Sequence, residues 1–260
     1  MKVLDMFKLD GKVAVITGGS VGLGAYMATG LAEAGCNVIV AARKVERCVD
    51  LCNKLEAALG IQALPVACDV SVEEQCRLMV DKTMAVFGRL DILVNNAGIS
   101  WVTDSLNFPM DKWQKVMNLN VNGTFQLAAM AARVMKDQET GGRIINIASI
   151  GGLGGDYPEN VDSVPYVVSK GAIITMTQDL AVKWARFGIN VNAICPGWFP
   201  TSLNDQLLED RKATFMPRIP KGRYGNSEDL KGLIVYLSSP ASDYVTGQHI
   251  VADGGQTVLV

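Results

Sequence analysis

Short apolar runs that alternate with helix-like stretches constrain the fold of this chain more than any other feature. Each run is continuously apolar, as are strands buried on both faces of a sheet. Strands that alternate with helices form βαβ units, right-handed crossovers and a parallel sheet. The pattern therefore predicts an α/β fold, a single doubly wound domain over residues 1–260. Its seven strands are expected at residues 13–17, 38–41, 63–67, 92–94, 143–148, 190–194 and 249–252.

Helical spacing fills most of the segments between these strands. Ser71, followed three residues later by Glu74, predicts a capping box, and Ser227 is expected to cap the last helix. Residues 198–223 have three prolines and weak periodicity, which favours a substrate lid. The helices are expected at residues 22–34, 45–59, 71–87, 111–135, 166–187 and 227–238, and the lid would be anchored by Leu203, Leu207, Leu208 and Phe215.

Composition excludes several classes of protein. Apolar residues make up 49% of the chain and charged residues 19%, a balance typical of a globular domain. The net charge of -2 argues against a nucleic-acid partner, and no apolar run approaches the roughly 18 residues of a membrane span. We therefore expect a cytoplasmic protein with no membrane partner. No C-x-x-C pair accompanies the single His249, so we predict no metal site, although carboxylate ligands stay open.

A glycine-rich turn follows the first strand and opens a helix. Gly18, Gly22 and Gly24 are spaced G-x-x-x-G-x-G, which differs from the strict G-x-G-x-x-G fingerprint. Glycines let the backbone approach a pyrophosphate, and a helix N-terminus offers free N–H groups. A simple tight turn is the alternative, but the strand–turn–helix context near the start of the chain favours a dinucleotide.

The end of the second strand bears on which dinucleotide binds. An acidic residue there would bind the ribose 2′-hydroxyl of NAD, whereas an Arg accommodates the 2′-phosphate of NADP. The chain has Ala42 followed by Arg43 and Lys44, so no carboxylate would repel a phosphate. The sequence thus favours NADP(H), unless Arg43 and Lys44 only begin a solvated helix.

Tyr166 and Lys170 lie four residues apart on one face of a predicted helix. A free phenol, with a pKa near 10, is a poor acid–base catalyst at neutral pH. An adjacent cation would lower that pKa and make proton exchange with a carbonyl or alcohol feasible. Because Y-x-x-x-K is common by chance, this pair is informative only in its context.

That context is the set of polar residues that follow the strands. In an open α/β sheet, ligands bind beyond the carboxyl ends of the strands. Ser149 follows the fifth strand, where it could hold a substrate oxygen, and residues 95–98 follow the fourth. Gly18, Asp69 and residues 195–197 are expected at the same edge, and this convergence predicts one site for cofactor and substrate.

With these motifs in order, the chain resembles the short-chain dehydrogenase/reductase family over nearly its whole length. The resemblance implies a Rossmann-type sheet of order 3-2-1-4-5-6-7 and a homotetramer. It also implies that Asp69 and Val70 contact adenine. Asn120, three residues before Gly123, would hold a water in a proton relay, and 253–255 would form the C-terminal signature.

The resemblance also assigns roles in the reaction. Tyr166 would be the general acid–base, Ser149 would orient the carbonyl, and Lys170 would lower the pKa of Tyr166 and bind the nicotinamide ribose. Asn120 completes the catalytic set. The predicted cofactor contacts are Gly18, Ser20, Gly22, Leu23, Gly24, Arg43, Asp69, Val70, Asn96, Ala97, Gly98, Tyr166, Lys170, Pro196, Gly197, Phe199 and Thr201.

Two departures from the family pattern stand out. Val21 occupies a position that is basic in many NADP-using members, so the cofactor preference rests on Arg43. The interval from Ser149 to Tyr166 is about four residues longer than usual, with 156–163 as the candidate insertion, expected to border the pocket.

Three functions remain open at this stage. A ketone reductase of the 3-oxoacyl thioester type is slightly favoured, and a polyol, sugar-acid or other secondary alcohol dehydrogenase is the alternative. The third is a non-catalytic NADP-binding regulator, which the intact Ser149, Tyr166 and Lys170 argue against.

Overall fold

A parallel sheet forms the centre of the computed structural model, which describes residues 2–201 and 204–259. Its strand order is β3-β2-β1-β4-β5-β6-β7, and every adjacent pair is parallel. The predicted α/β class, strand order and parallel direction are confirmed. The strands are β1 (Val13–Thr17), β2 (Asn37–Ala42), β3 (Ala63–Ala67), β4 (Ile92–Asn95), β5 (Gly142–Ile147), β6 (Ile189–Pro196) and β7 (His249–Ala252).

Helices cover both faces of this sheet. They are α1 (Gly22–Glu33), α2 (Val45–Leu59), α3 (Glu73–Phe87), α4 (Met110–Met117), α5 (Thr124–Asp137), α6 (Pro158–Val161), α7 (Val164–Trp184), α8 (Asp205–Asp210), α9 (Lys212–Phe215) and α10 (Glu228–Ser238). One core lies between the sheet and α1, α2 and α10, and a second contains side chains of α3, α5 and α7. All of β1 is buried because both of its faces meet these cores.

The predicted long helix at 111–135 is interrupted. Residues Asn118–Gly123 form a π-helical turn between α4 and α5. Such turns widen the helix by one residue and are frequent at functional sites. The side chain of Asn120, which this turn presents, is completely buried.

Neither predicted serine cap forms. Helix α3 begins at Glu73, and Ser71 instead donates its hydroxyl to Asp69 Oδ1, 2.6 Å away. Ser227 makes no capping bond to α10, because the side chain of Asn226 accepts the N–H of Glu228 at 3.0 Å. Asp69 thus engages the Ser71 hydroxyl, and Asn226 takes a helical N–H that Ser227 would have capped.

The strand order reverses direction between β1 and β4, which are neighbours although two strands separate them in sequence. Crevices form at the carboxyl ends of strands where the order reverses, and ligands bind there in doubly wound folds. The Gly18 turn leaves β1 at this point, and residues 96–98 leave β4. Across the described ranges, no helix has the length and apolar character needed to cross a bilayer.

Candidate active site

The turn after β1 presents the N-terminus of α1 to this crevice. Gly18 has a φ of 60°, in the left-handed region that glycine adopts without strain. A Cβ on Gly24 would lie 2.3 Å from the carbonyl oxygen of Gly18, so only glycine permits this close turn. Val21, at the N-cap of α1, has no polar side-chain atom to accept the first helical N–H groups. The turn therefore has the free donors and the bare backbone that suit a pyrophosphate.

Thr17 joins this turn to the loop after β4. Its hydroxyl accepts the N–H groups of Asn96 and Ala97 at 3.0 and 3.1 Å and donates to the carbonyl of Val94 at 3.3 Å. The Asn96 amide donates in return to the carbonyls of Thr17 and Gly18 at 2.9 and 3.1 Å. Asn96 and Ala97 thus hold the turn in shape. Thr17 was not among the residues predicted to contact the cofactor, and its hydroxyl instead organises the turn from behind.

Arg43 and Asp69 flank the far end of the crevice, beyond β2 and β3. Burial acts to raise the pKa of Asp69, but two hydrogen bonds from Ser71 and the charges of Arg43 and Lys115 lower the pKa overall. The carboxylate is therefore ionised near neutral pH. Arg43 is exposed, and no carboxylate stands in the three residues that directly follow β2.

Val70 is held from the opposite side by α5. Its carbonyl accepts the Nε2–H of Gln126 at 2.5 Å, and a Cβ on Gly123 would lie 2.7 Å from that same oxygen. Close packing of α5 thereby fixes the loop that contains Asp69 and Val70. Gln126 was missed by the sequence analysis, which found no motif around it.

Ser149 and Tyr166 approach each other beyond the end of β5. The N–H of Ala148 donates to the carbonyl of Ile194 at 2.8 Å, which continues the sheet pairing up to Ser149. A Cβ on Gly151 would lie 3.5 Å from Ser149 Oγ and 4.0 Å from Tyr166 Cε1. The hydroxyl and the phenol ring therefore border one small volume.

Lys170 lies one helical turn beyond Tyr166 on α7, and its Nζ is 5.5 Å from the centre of the phenol ring. The ammonium donates to the carbonyl of Ile147 at 2.7 Å. A Cβ on Gly98 would lie 3.5 Å from this Nζ and 3.4 Å from Asn120 Oδ1, so the loop after β4 meets the catalytic helix here.

The protonation of the pair is governed mainly by burial. Burial raises the pKa of Tyr166 above its usual value, and a hydrogen bond with Ser149 opposes this rise. Burial also lowers the pKa of Lys170 to about 8. Desolvation therefore dominates the pKa of the phenol while the Ile147 carbonyl accepts the ammonium, and a role for Lys170 in lowering the pKa of Tyr166 stays a prediction.

Asn120 connects the loop after β4 to α7. Its Oδ1 accepts the N–H of Ile99, and its Nδ2 donates to the carbonyl of Ile99 and to Ser169 Oγ, each at 2.9 Å. Ser169, in turn, donates to the carbonyl of Tyr166 at 2.7 Å. The amide therefore positions the helix turn that holds Tyr166. A role for Asn120 in a water relay stays a prediction.

The segment after β6 joins the cofactor side of the crevice to the lid. Gly197 N–H donates to the carbonyl of Ala252 at 3.0 Å, which keeps the turn after Pro196 against β7. The methyl group of Thr201 would be 2.9 Å from a Cβ on Gly22, so this segment touches the phosphate turn. Phe199 is buried in the core beside α1 and α10, so its ring is a packing element.

The predicted lid is more ordered than its weak periodicity suggested. It contains α8 and α9, and Trp198 stacks on Phe215 with ring centres 4.4 Å apart. Leu208 and Phe215 are buried, as expected of anchors, whereas the predicted anchor Leu203 lies outside the described residues. That the lid covers a substrate stays a prediction.

Comparison with known proteins places this geometry among oxidoreductases. Residues 18–257 match the family model described as enoyl-(acyl carrier protein) reductase. The chain is 44% identical to 2-dehydro-3-deoxy-D-gluconate 5-dehydrogenase of Dickeya dadantii, over 97% of this chain and 98% of that protein. It is 36% identical to the rhamnolipids biosynthesis 3-oxoacyl-[acyl-carrier-protein] reductase of Pseudomonas aeruginosa, over 96% and 97% respectively.

A solved structure shares the architecture throughout. The crystal structure of a gluconate 5-dehydrogenase from Burkholderia cenocepacia, in complex with NADP and tartrate, superposes with a TM-score of 0.93 at 37% identity, and the match covers 100% of both chains. The family match, the full-length relatives and the shared sheet order point to one family. The chain belongs to the short-chain dehydrogenase/reductase family.

Proposed function

We propose that this protein is an NADP(H)-dependent oxidoreductase that interconverts a secondary hydroxyl and a ketone on a sugar acid. The observation that carries the proposal is full-length similarity to a 2-dehydro-3-deoxy-D-gluconate 5-dehydrogenase at 44% identity, together with a complete Ser149–Tyr166–Lys170 arrangement. A sugar acid thus replaces the 3-oxoacyl thioester that the sequence analysis slightly favoured.

The side chains supply the proton chemistry of this reaction. Tyr166 would donate a proton to the carbonyl oxygen during reduction and accept it from the hydroxyl during oxidation. Ser149 would hold that oxygen, since its Oγ borders the same volume as the phenol ring. Asn120 and Ser169 fix the helix turn below Tyr166. The nicotinamide, when bound, supplies or accepts the hydride.

The chain suits the cofactor at both ends of the crevice. The turn from Gly18 to Gly24 offers uncapped N–H groups for the pyrophosphate. Arg43 stands beyond β2, where its guanidinium could bind a 2′-phosphate, and Ala42 leaves no carboxylate to repel one. Lys170 would reach the nicotinamide ribose by exchanging the Ile147 carbonyl for a ribose hydroxyl.

A 3-oxoacyl reductase is the second candidate. In addition to the Pseudomonas aeruginosa relative, apolar side chains are exposed on the segments that follow β4 and β5. Trp101, Val102, Leu153 and Tyr157 are between 39% and 69% exposed and could contact an acyl chain. The two candidates differ in whether the substrate bears a carboxylate near the reacting carbon.

A substrate panel distinguishes them. The oxidation of D-gluconate and the reduction of 5-keto-D-gluconate and acetoacetyl thioesters would be followed by NADPH absorbance, with NAD(H) in parallel. We expect kcat/KM for the sugar acids to exceed that for the thioesters at least tenfold. Activity confined to thioesters would favour the second candidate, and cofactor binding without any turnover would favour a regulator.

Assembly and location are further parts of the proposal. The family resemblance implies a homotetramer, which sedimentation velocity of the purified protein would test. A cytoplasmic location is expected from the sequence, and fractionation of the source cells would test it.

A further inference from the structure

An ion pair connects the lid to the insertion that follows Ser149. Arg218 Nη1 lies 3.1 Å from Asp156 Oδ1. Asp156 Oδ1 also accepts the N–H of Tyr157 at 2.8 Å and the amide of Asn160 at 2.5 Å, so the carboxylate is held in place by its own segment. The guanidinium therefore meets a fixed anion.

The Asp156 side of the ion pair follows a segment that packs on the helix of Tyr166 and Lys170. Gly152 packs on α7, since a Cβ there would lie 2.6 Å from the carbonyl carbon of Lys170. Asp156 is four residues further, at most about 14 Å away even if the chain were fully extended. The segment from Gly152 to Asp156 thus runs from a packing contact on α7 to the ion pair with the lid.

The lid holds Arg218 between two buried residues. Phe215, three residues before it, stacks on Trp198, and Ile219, directly after it, is 4% exposed. The N–H of Lys221 then donates to the carbonyl of Gly254 at 3.1 Å. These contacts fix the backbone of Arg218 over the crevice side of β6 and β7.

The ion pair is weak enough for a ligand to replace it. The side chains of Arg218 and Asp156 are 38% and 37% exposed, and half-exposed pairs contribute little to stability. Within the described ranges, the guanidinium makes this single hydrogen bond through Nη1. A carboxylate that engaged two of its N–H groups would bind more strongly than Asp156 does.

Three other cations of this region have partners in the protein. Lys170 is buried and donates to the Ile147 carbonyl. Lys112 pairs with Asp111 at 2.7 Å and lies over the ring of Trp101. Arg223, at the end of the lid, binds both carboxylate oxygens of Asp229. Arg218 therefore has more unused donors than any of these groups.

We propose that Arg218 determines specificity for acidic substrates by binding the substrate carboxylate, which replaces Asp156 as its partner. The proposal rests on the proposed function, because it names the group that would recognise a sugar acid. It gives Asp156 the opposite role, that of an internal competitor for the same guanidinium.

Calorimetric titration of the NADPH-loaded protein, which cannot oxidise the alcohol, with D-gluconate and with D-gluconamide tests the first role. The two ligands have nearly the same size and differ in the charge of one end. We expect wild type to prefer gluconate, and Arg218→Gln to reduce that preference about ten- to a hundredfold, the range for a hydrogen bond to a charged group. Arg223→Gln, the matched loss of a lid cation, should leave the preference unchanged.

Asp156→Asn tests the competition. Removing the internal carboxylate should strengthen gluconate binding in the wild-type background and have no such effect in the Arg218→Gln background. A general change of surface charge would instead strengthen binding equally in both backgrounds, so the double-mutant cycle separates the two explanations. Equal gains in both backgrounds would overturn the proposal.

Other outcomes also decide between explanations. An unchanged preference for gluconate over gluconamide in Arg218→Gln would overturn the role of Arg218. Loss of that preference in Lys112→Gln would also overturn it. If Arg218→Gln weakened the binding of gluconate and gluconamide equally, the ion pair would only hold the lid in place, and the role of Arg218 in specificity would be overturned. If gluconate is oxidised equally well with and without Arg218, the proposed function stands and the role of Arg218 fails. If gluconate binding depends on Arg218 but no turnover occurs, only the proposed function fails.

Discussion

The ammonium of Lys170 donates to the main-chain carbonyl of Ile147, 2.7 Å away, although the lysine side chain is almost completely buried. Burial is the main influence on its pKa, and the charge of the Cys195 thiolate opposes it. Burial consequently lowers the pKa of Lys170 to about 8. The protein keeps a destabilising cation where the chemistry requires one, as is common at functional sites.

Lys170→Met should therefore stabilise the protein while it abolishes turnover. At pH 7 the unfavourable burial of the charge costs about 3 kcal/mol, and the lost bond to Ile147 offsets about 1 kcal/mol of the gain. We expect the free energy of unfolding to rise by about 2 kcal/mol. Thermal unfolding without cofactor would measure the change, and a lower melting temperature for the variant at pH 7 would contradict it.

The pH dependence provides a second readout for the same variant. Unfolded Lys170 titrates near 10.5 and folded Lys170 near 8, so the unfolded state binds more protons between these values. The wild type therefore gains stability as pH rises through this window. The advantage of Lys170→Met should shrink from pH 7 to pH 10. A constant difference between the two proteins across this range would exclude the buried charge as its cause.

The central strands could be predicted because burial on both faces makes them continuously apolar. The predicted β1 agrees with the structure residue for residue, and all five of its residues are buried. Polar residues at strand ends were also predictable, since parallel strands bring their carboxyl ends to one edge. This is why Ser149 and residues 96–98 were expected near the same crevice.

The remaining features depend on tertiary contacts that have no period in the sequence. The π-helical turn at Asn118–Gly123 is required by the packing of Gly123 on Val70 and of Asn120 on Ile99, both distant in sequence. The pKa of Tyr166 follows from burial, which a Y-x-x-x-K motif does not encode. The sequence motif identified Tyr166 and Lys170 as candidate catalytic residues. Their burial and hydrogen-bond partners are determined by the fold.

A buried chain of polar side chains behind the site predicts a large effect of Thr177→Val. Asn95 Nδ2 donates to Asn146 Oδ1 at 3.0 Å, and Asn146 Nδ2 donates to Thr177 Oγ1 at 2.9 Å. Valine would leave a buried amide donor unpaired, at a cost of about 1–3 kcal/mol. Urea unfolding at fixed protein concentration would measure the loss.

Thr29→Val is the matched control for that variant. Thr29, like Thr177, donates its hydroxyl to the carbonyl four residues earlier, at 2.8 Å in both cases. No hydrogen bond to the Thr29 hydroxyl is present among the described residues, so its replacement should cost little. Equal losses for the two variants would show that the acceptor role of Thr177 is unimportant.

Arg43→Ala should weaken NADPH binding and leave NADH binding nearly unchanged. The guanidinium would make a charge-assisted contact with the 2′-phosphate, worth about 1.5–3 kcal/mol, which corresponds to roughly ten- to a hundredfold in affinity. Fluorescence titration with both cofactors would measure the effect, with Lys44→Ala as the neighbouring control. A wild-type preference for NADH would refute this assignment of the cofactor.

Tyr166→Phe should remove general acid–base catalysis with little effect on cofactor affinity. Phenylalanine preserves the packing of the ring beside Gly151 but has no proton to exchange with the substrate. Turnover of an accepted ketone should fall about 10²–10⁴-fold. Tyr244→Phe, which removes the hydroxyl of a fully exposed tyrosine, should leave turnover unchanged. Near wild-type turnover in Tyr166→Phe would exclude this residue as the acid–base, and Ser149 could not replace it, because an aliphatic hydroxyl is too weak an acid.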